Sequence, residues 1–124
     1  MILNLLKSKI HRATVTEADL HYIGSITIDE DLMEAAKLHE YEKVHVLNIT
    51  NGNRLSTYVI KGTRGSGCIK INGAAAHHVN VNDLIIIVSY CQINSDQVKN
   101  HEPSIVHVNS NNEILSIESN ELSL

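Results

Sequence analysis

Short apolar runs built on isoleucine and valine, each ended by glycine, asparagine or charged residues, recur along this chain from Ile10 to Ile117. Branching at Cβ suits these residues to a pleated strand and costs them rotamer freedom in a helix. The chain has no Trp, no Phe and four Tyr, so its core must be assembled from Ile, Val, Leu and Ala. Segments of strand character fall at 9–16, 21–28, 43–49, 55–61, 68–71, 84–93, 105–108 and 114–117. That spacing predicts a mainly β fold, a barrel or a sandwich. With 124 residues the chain supports one such domain and not two, and no repeat, linker or low-complexity tract divides it.

One helix interrupts the strands. The pattern predicts it over 29–38, with Asp29 as N-cap, Glu30 and Asp31 in the first turn, and Leu32, Met33, Ala36 and Leu38 on the buried side. Asn51-Gly52 signals a hairpin turn within 50–53, and Arg64-Gly65-Ser66-Gly67 reads as a flexible connection. The polar stretch 94–104, with the sole proline, reads as a surface loop, 109–112 as a turn, and the last residues as a frayed end.

Composition narrows the function classes. A formal net charge of −4 and the lack of Trp and Phe disfavour nucleic-acid binding, which needs basic surface and stacking rings. No apolar run approaches the roughly 18 residues of a membrane span. The start, Met1-Ile2-Leu3-Asn4-Leu5-Leu6-Lys7, carries neither a basic leader nor a small-residue cleavage site, so the expectation is a soluble, cytoplasmic protein. Cys68 and Cys91 have no metal spacing and are expected as buried structural thiols. The eight histidines, including His77-His78 and His11 with His21, complete no ligand motif, and no metal is expected.

Four clusters hold polar groups that a plain β-barrel does not require. Gly24-Ser25 reads by itself as a turn, yet it is also a bond the chain could cut. A serine hydroxyl can attack the preceding carbonyl, giving an ester that breaks to leave a ketone at the new N-terminus. Arg54, Ser56 and Tyr58 alternate with Leu55, Thr57 and Val59, as in a half-exposed strand; a functional reading needs a bend near Thr57. Asn72-Gly73-Ala74-Ala75-Ala76-His77 reads as a turn into a short helix, or as a row of small residues whose backbone a ligand can approach. Lys9 and Arg12, in Lys9-Ile10-His11-Arg12, read as solvated strand charges.

Taken together and in order, these clusters resemble the aspartate 1-decarboxylase family. The resemblance rests on Lys9 with His11-Arg12, the run Ala18-Asp19-Leu20-His21-Tyr22-Ile23-Gly24-Ser25, Thr50-Asn51-Gly52-Asn53-Arg54 with Ser56-Thr57-Tyr58, Arg64-Gly65-Ser66, and Asn72 through His77; it spans 1 to about 89. It implies a double-psi β-barrel made as a proenzyme that cleaves itself between Gly24 and Ser25 into pieces 1–24 and 25–124. Ser25 then becomes a covalent pyruvoyl group, with neither metal nor pyridoxal phosphate. The implied reaction is decarboxylation of L-aspartate to β-alanine and carbon dioxide, for pantothenate and coenzyme A synthesis. The ketone condenses with the substrate amine and accepts the electron pair left on the α-carbon. A phenol, with a reference pKa of about 10, keeps its proton at neutral pH yet yields it to a carbon base.

The resemblance carries roles onto this chain. Ser25 and Tyr58 are the implied catalytic residues, and Gly24, Ser25 and Thr57 the processing residues, Thr57 holding the Gly24 carbonyl. Lys9, Arg54, Thr57, Asn72, Gly73, Ala74 and Ala75 are the implied substrate contacts, with Tyr22 near the cleaved end. Arg54 can grip a carboxylate at two points, as lysine cannot. Leu47 departs from the aromatic residue of some relatives. Also implied are a pocket between neighbouring subunits, a homotetramer of processed protomers, and maturation with or without an accessory factor. Two other readings stay open: a self-processing hydrolase using Ser25 as a free N-terminal nucleophile, and a small barrel that never cleaves and grips an anionic ligand through Arg54 and Lys9.

Overall fold

Closure of the sheet is built into the first strand. In the computed structural model, which describes residues 1–121, β1 (Ile2–Thr14) runs through Val15 and Thr16 into β2 (Glu17–Asp19). Val15 N–H donates to Asp83 O at 3.0 Å and Thr16 N–H to Ile69 O at 2.9 Å, so this one path carries pairing from one side of the sheet to the other. The other strands are β3 (Ser25–Asp29), β4 (Lys43–Asn48), β5 (Arg54–Gly62), β6 (Ile69–Asn72), β7 (Leu84–Asn94), β8 (Ser104–Val108) and β9 (Ile114–Glu118). Pairing runs β2-β6-β3-β5-β4-β7-β1, and because β1 continues into β2 the ring closes. The barrel wall therefore has six members: the joined β1 and β2, β6, β3, β5, β4 and β7. Two of its pairs, β2 with β6 and β3 with β5, are parallel, a mixed closure in agreement with the expected double-psi barrel. Outside the ring β8 pairs in parallel with residues 8–11 of β1, and β9 pairs with β8.

Alternation fills the inside. Ile10, Ile26, Ile28, Val44, Val46, Val59, Ile69, Ile71 and Ile85 are fully buried and point to one core. The helix α1 (Glu30–Ala35) adds Leu32 and Met33 to it, and its N-cap Asp29 accepts Asp31 N–H at 2.8 Å as expected. The Asp29 carboxylate also accepts from Gly65 N–H at 3.0 Å and Gly67 N–H at 2.8 Å, which ties the 64–67 loop down. The hairpin turn between β4 and β5 forms with Gly52 at φ +79° and Gly52 N–H donating to Asn48 O at 2.9 Å.

Several expectations are corrected. The helix ends at Ala35, short of residue 38, because Lys37 adopts φ 56° and Lys7 Nζ takes its carbonyl at 2.7 Å; Leu38 is buried beyond the helix. The strand expected at 21–28 begins only at Ser25, since Asp19 Oδ1 accepts His21 N–H at 2.9 Å and closes a turn over 20–24. β1 begins at Ile2, where residues 2–6 find partners in 90–94 that no local pattern announces. The loop after β7 contains a 3₁₀ turn, Ser95–Asn100. Cys68 and Cys91 are free but only half-buried. The expected frayed end falls in part on 122–124, outside the described residues. Among the described residues no helix is long and apolar enough to cross a membrane.

Candidate functional site

Ser25 opens β3 directly after the exposed turn that holds Gly24, and it is 1% exposed. Its antiparallel partner is Asn72, the last residue of β6. Asn72 Nδ2 donates to Ser25 Oγ at 2.9 Å and to Thr27 Oγ1 at 3.1 Å, while Ser25 Oγ donates to Ile23 O at 3.2 Å. Ile26 and Ile28 belong to the core, so by alternation Ser25 and Thr27 occupy the other face of β3. Asn72 Oδ1 is buried without a partner. A buried amide oxygen in that position is an acceptor with unused capacity beside the bond in question.

The parallel pairing of β3 with β5 brings in the next residues. Ile26 pairs with Val59, so one step back sets Ser25 level with Tyr58 and two steps back set Gly24 level with Thr57. The β4–β5 register runs unbroken from Lys43–Tyr58 to Leu47–Arg54, and β5 has no bend at Thr57. Thr57 thus lies on the Leu55 and Val59 side, opposite the buried Val44, and Tyr58 on the outer face with Ser56 and Arg54. The Tyr58 ring is half-buried, 6.4 Å from that of Tyr41.

After Asn72, Gly73 starts a 3₁₀ turn, Gly73–His77. Gly73 is buried at φ +72° against Gly24, Ala74 is exposed, and Ala75 packs on the core. Tyr22 is 55% exposed, and Lys70 Nζ stands 4.7 Å from its ring centroid.

Arg54 and Lys9 do not converge on Ser25 within this chain. Four residues of strand, about 13 Å, separate Arg54 from the level of Tyr58. Lys9 pairs with Val88, Val88 with His45 and His45 with Ser56, which puts three strand spacings, about 14 Å, between Lys9 and β5. Both belong to the outer face of the wall. Lys9 Nζ is held by Glu121 Oε1 at 2.5 Å, and that hydrogen bond lowers the Glu121 carboxyl from its ordinary value. Beside it burial, followed by the His107 imidazole, lowers His11 below its ordinary 6.5; His11 Nδ1 and His107 Nε2 are buried without partners, the rings 5.6 Å apart.

Thr27 and Glu121 are contacts that sequence reasoning missed. The period-2 relation of Thr27 to Ser25 could have flagged it, but nothing local links Glu121 to Lys9, 112 residues away. A surface groove of about 940 Å³ between α1, the 64–67 loop and the β8–β9 turn holds none of the expected residues. Among the described residues no three His, Cys, Asp or Glu side chains gather where they could hold a metal ion.

Comparison with known proteins covers nearly the whole chain. The family model described as aspartate decarboxylase matches residues 1–115. The chain is 59% identical over 121 residues to the aspartate 1-decarboxylase of Caldicellulosiruptor saccharolyticus, covering 98% of this chain and 94% of the relative. It is 56% identical over 117 residues to that of Clostridium kluyveri, covering 94% and 92%. It is 59% identical over 121 residues to that of Acetivibrio thermocellus, covering 98% and 96%.

Proposed function

The chain belongs to the aspartate decarboxylase family, and from that membership we propose that it converts L-aspartate to β-alanine and carbon dioxide after cutting its own backbone between Gly24 and Ser25. The observation that carries the reading is the hold of Asn72 Nδ2 on Ser25 Oγ at 2.9 Å, directly after an exposed glycine. A hydroxyl buried, hydrogen-bonded and adjacent to a flexible peptide is what an attack on one's own chain requires.

Cleavage follows from the residues present. Ser25 Oγ attacks the Gly24 carbonyl carbon, the peptide C–N bond breaks, and the hydroxyl proton ends on the freed nitrogen. The register that sets Thr57 level with Gly24 gives its hydroxyl the role of steadying that carbonyl. Elimination then releases the Gly24 carboxylate, and water replaces the nitrogen of residue 25 as ammonia. Because β3 starts at Ser25, the cut falls at a strand end and leaves the barrel pairing intact.

The surroundings of residue 25 fit a pyruvoyl group. Ser25 Oγ leaves with the Gly24 carboxylate, which frees Asn72 Nδ2 as a donor beside residue 25 for the ketone oxygen that replaces the nitrogen on its α-carbon. Once formed, that ketone supplies the acceptor for the electron pair that decarboxylation leaves on the α-carbon. Arg54 binds and orients one substrate carboxylate through its guanidinium, Lys9 adds charge, and the backbone of Gly73, Ala74 and Ala75 lines the substrate. Tyr58 delivers a proton from its phenol oxygen to the product carbon.

Arg54, Tyr58 and Lys9 share the outer face of the wall and lie far apart along it. The distance of Arg54 and Lys9 from Ser25 supports a site completed by a second copy, as in a homotetramer with pockets between neighbours. The reading includes the pantothenate branch as the use of β-alanine, a cytoplasmic location, and cutting with or without an accessory factor.

Intact-mass analysis tests it. The expected result is two pieces, 1–24 ending in a carboxylate and 25–124 lacking an N-terminal amine, with carbon dioxide released from aspartate. Ser25→Ala should stay in one piece without turnover. An N-terminal serine on the larger piece would favour the hydrolase reading, and an uncut, folded, anion-binding wild type would sink both enzyme readings.

A further inference from the structure

The two residues that follow one another at the end of β6 touch the two partners of the cut. Asn72 holds the nucleophile, Ser25 Oγ, at 2.9 Å. Gly73, next in the chain, lies against the backbone that carries the electrophile. A methyl group on Gly73 would sit 2.6 Å from Gly24 Cα, 2.7 Å from Gly24 N and 2.9 Å from Tyr22 O. Carbon atoms in ordinary contact stand about 3.5–4.0 Å apart. Nothing but a hydrogen fits between these two stretches of main chain. The crowding is one-sided: a methyl on Gly24 itself would meet no atom within 4 Å.

We infer that Gly73 is a positioning residue for self-cleavage: its missing side chain lets the Tyr22–Gly24 backbone lie against the end of β6, where the Gly24 carbonyl is held in reach of the oxygen that Asn72 orients. The inference rests on the reading that the Gly24–Ser25 bond is cut, and gives Gly73 a task before any substrate arrives. In that cut the Ser25 Oγ to Gly24 carbon bond forms, the Gly24 carbon to Ser25 nitrogen bond breaks, and the hydroxyl proton passes to nitrogen. No outside reactant is needed for the step, so the geometry of the two segments governs its rate. A Cβ at residue 73 displaces the Gly24 segment by roughly 1 Å, and a misplacement of that size costs on the order of 100-fold in a reaction between positioned groups.

The positive φ of Gly73 is a separate burden for any L residue, and Gly52 controls for it. Gly52 has φ +79° and open space around the position of a Cβ. Gly73→Ala, Gly52→Ala and wild type are compared at fixed temperature. The fraction of chain cut is read by intact mass, the ester by trapping with hydroxylamine, and the fold by far-ultraviolet circular dichroism. Wild type and Gly52→Ala should cut at closely similar rates. Folded Gly73→Ala should cut on the order of 100-fold more slowly, with the trapped ester reduced in step. A folded Gly73→Ala that cuts and traps like wild type overturns the inference. Where Gly73→Ala does not fold, the uncut Ser25→Ala chain decides: a nuclear Overhauser contact between the α-protons of Gly24 and Gly73 supports the inference, and its absence overturns it. A wild type that never cuts fails the proposed function instead, so the two failures are told apart.

Discussion

Asn72 Nδ2 donates to Ser25 Oγ at 2.9 Å and to Thr27 Oγ1 at 3.1 Å, so one buried amide holds two hydroxyls on the face of β3 turned from the core. Asn72→Ala removes both bonds and leaves the Ser25 hydroxyl free to turn. Urea unfolding should show a loss of about 1–2 kcal/mol, and intact mass should show cutting slowed about tenfold, the equivalent of one neutral hydrogen bond.

Tyr58 lies on the outer face of β5 and Thr57 on the inner, so their variants should separate cutting from turnover. Tyr58→Phe should cut at the wild-type rate and lose a factor of about 10² to 10⁴ in kcat for carbon dioxide release, the range for one positioned acid. Thr57→Val should instead delay the appearance of the two pieces.

Glu121 occupies the Lys9 ammonium at 2.5 Å, where a substrate carboxylate is proposed to sit. Glu121→Gln should lower KM for aspartate by up to about fivefold with kcat unchanged, since an ion pair of this exposure is worth at most about 1 kcal/mol. Lys9→Ala should raise KM. The Lys9 hydrogen bond holds the Glu121 carboxyl below its ordinary 4.5, so the pair persists at neutral pH and is lost only as pH falls through that lowered value.

Asp29 is buried and accepts three backbone N–H groups, from Asp31, Gly65 and Gly67. Asp29→Ala removes a helix cap and strands those donors, and should cost roughly 2–4 kcal/mol by urea unfolding. Arg64 pairs with Glu30, Asp31 and Glu34 at the surface, and Arg64→Ala should barely move the midpoint.

His11 is held below its ordinary 6.5 by burial first, then by His107, Lys9 and Arg12, with Glu121 acting the other way. The unfolded chain therefore takes up a proton at this site before the folded one does. Stability falls as pH drops through 6.5 and levels off below the lowered folded value. Thermal unfolding measured from about pH 7 to about pH 5 should fall less steeply for His11→Asn than for wild type.

Local signals were legible to the degree that they are satisfied locally. Asp29 reads as a cap because its acceptor and the Asp31 N–H are two residues apart. Asn51-Gly52 reads as a turn because φ +79° suits a residue without Cβ. Arg54, Ser56 and Tyr58 read as one face because a strand alternates. The start of β3 is not legible locally, since the turn at 20–24 is closed by the Asp19 side chain rather than by a glycine or proline signal. The regular alternation of residues 54–59 is legible and the bend near Thr57 that a functional reading needs is absent, because an unbroken β4–β5 register, with Val44 and Val46 in the core, continues through Thr57.

By itself the sequence determined a β-rich chain with an Ile and Val core, one capped helix, and the motif order of its family, each carried by neighbouring residues. Only the tertiary structure decided that Asn72 meets Ser25 across 47 positions and that Gly73 presses on Gly24. It also decided that Glu121 meets Lys9 across 112. The reason is physical: the first two contacts exist because β3 pairs with β6 and the third because β8 and β9 pair onto β1, and pairing between distant strands is a property that no local pattern encodes.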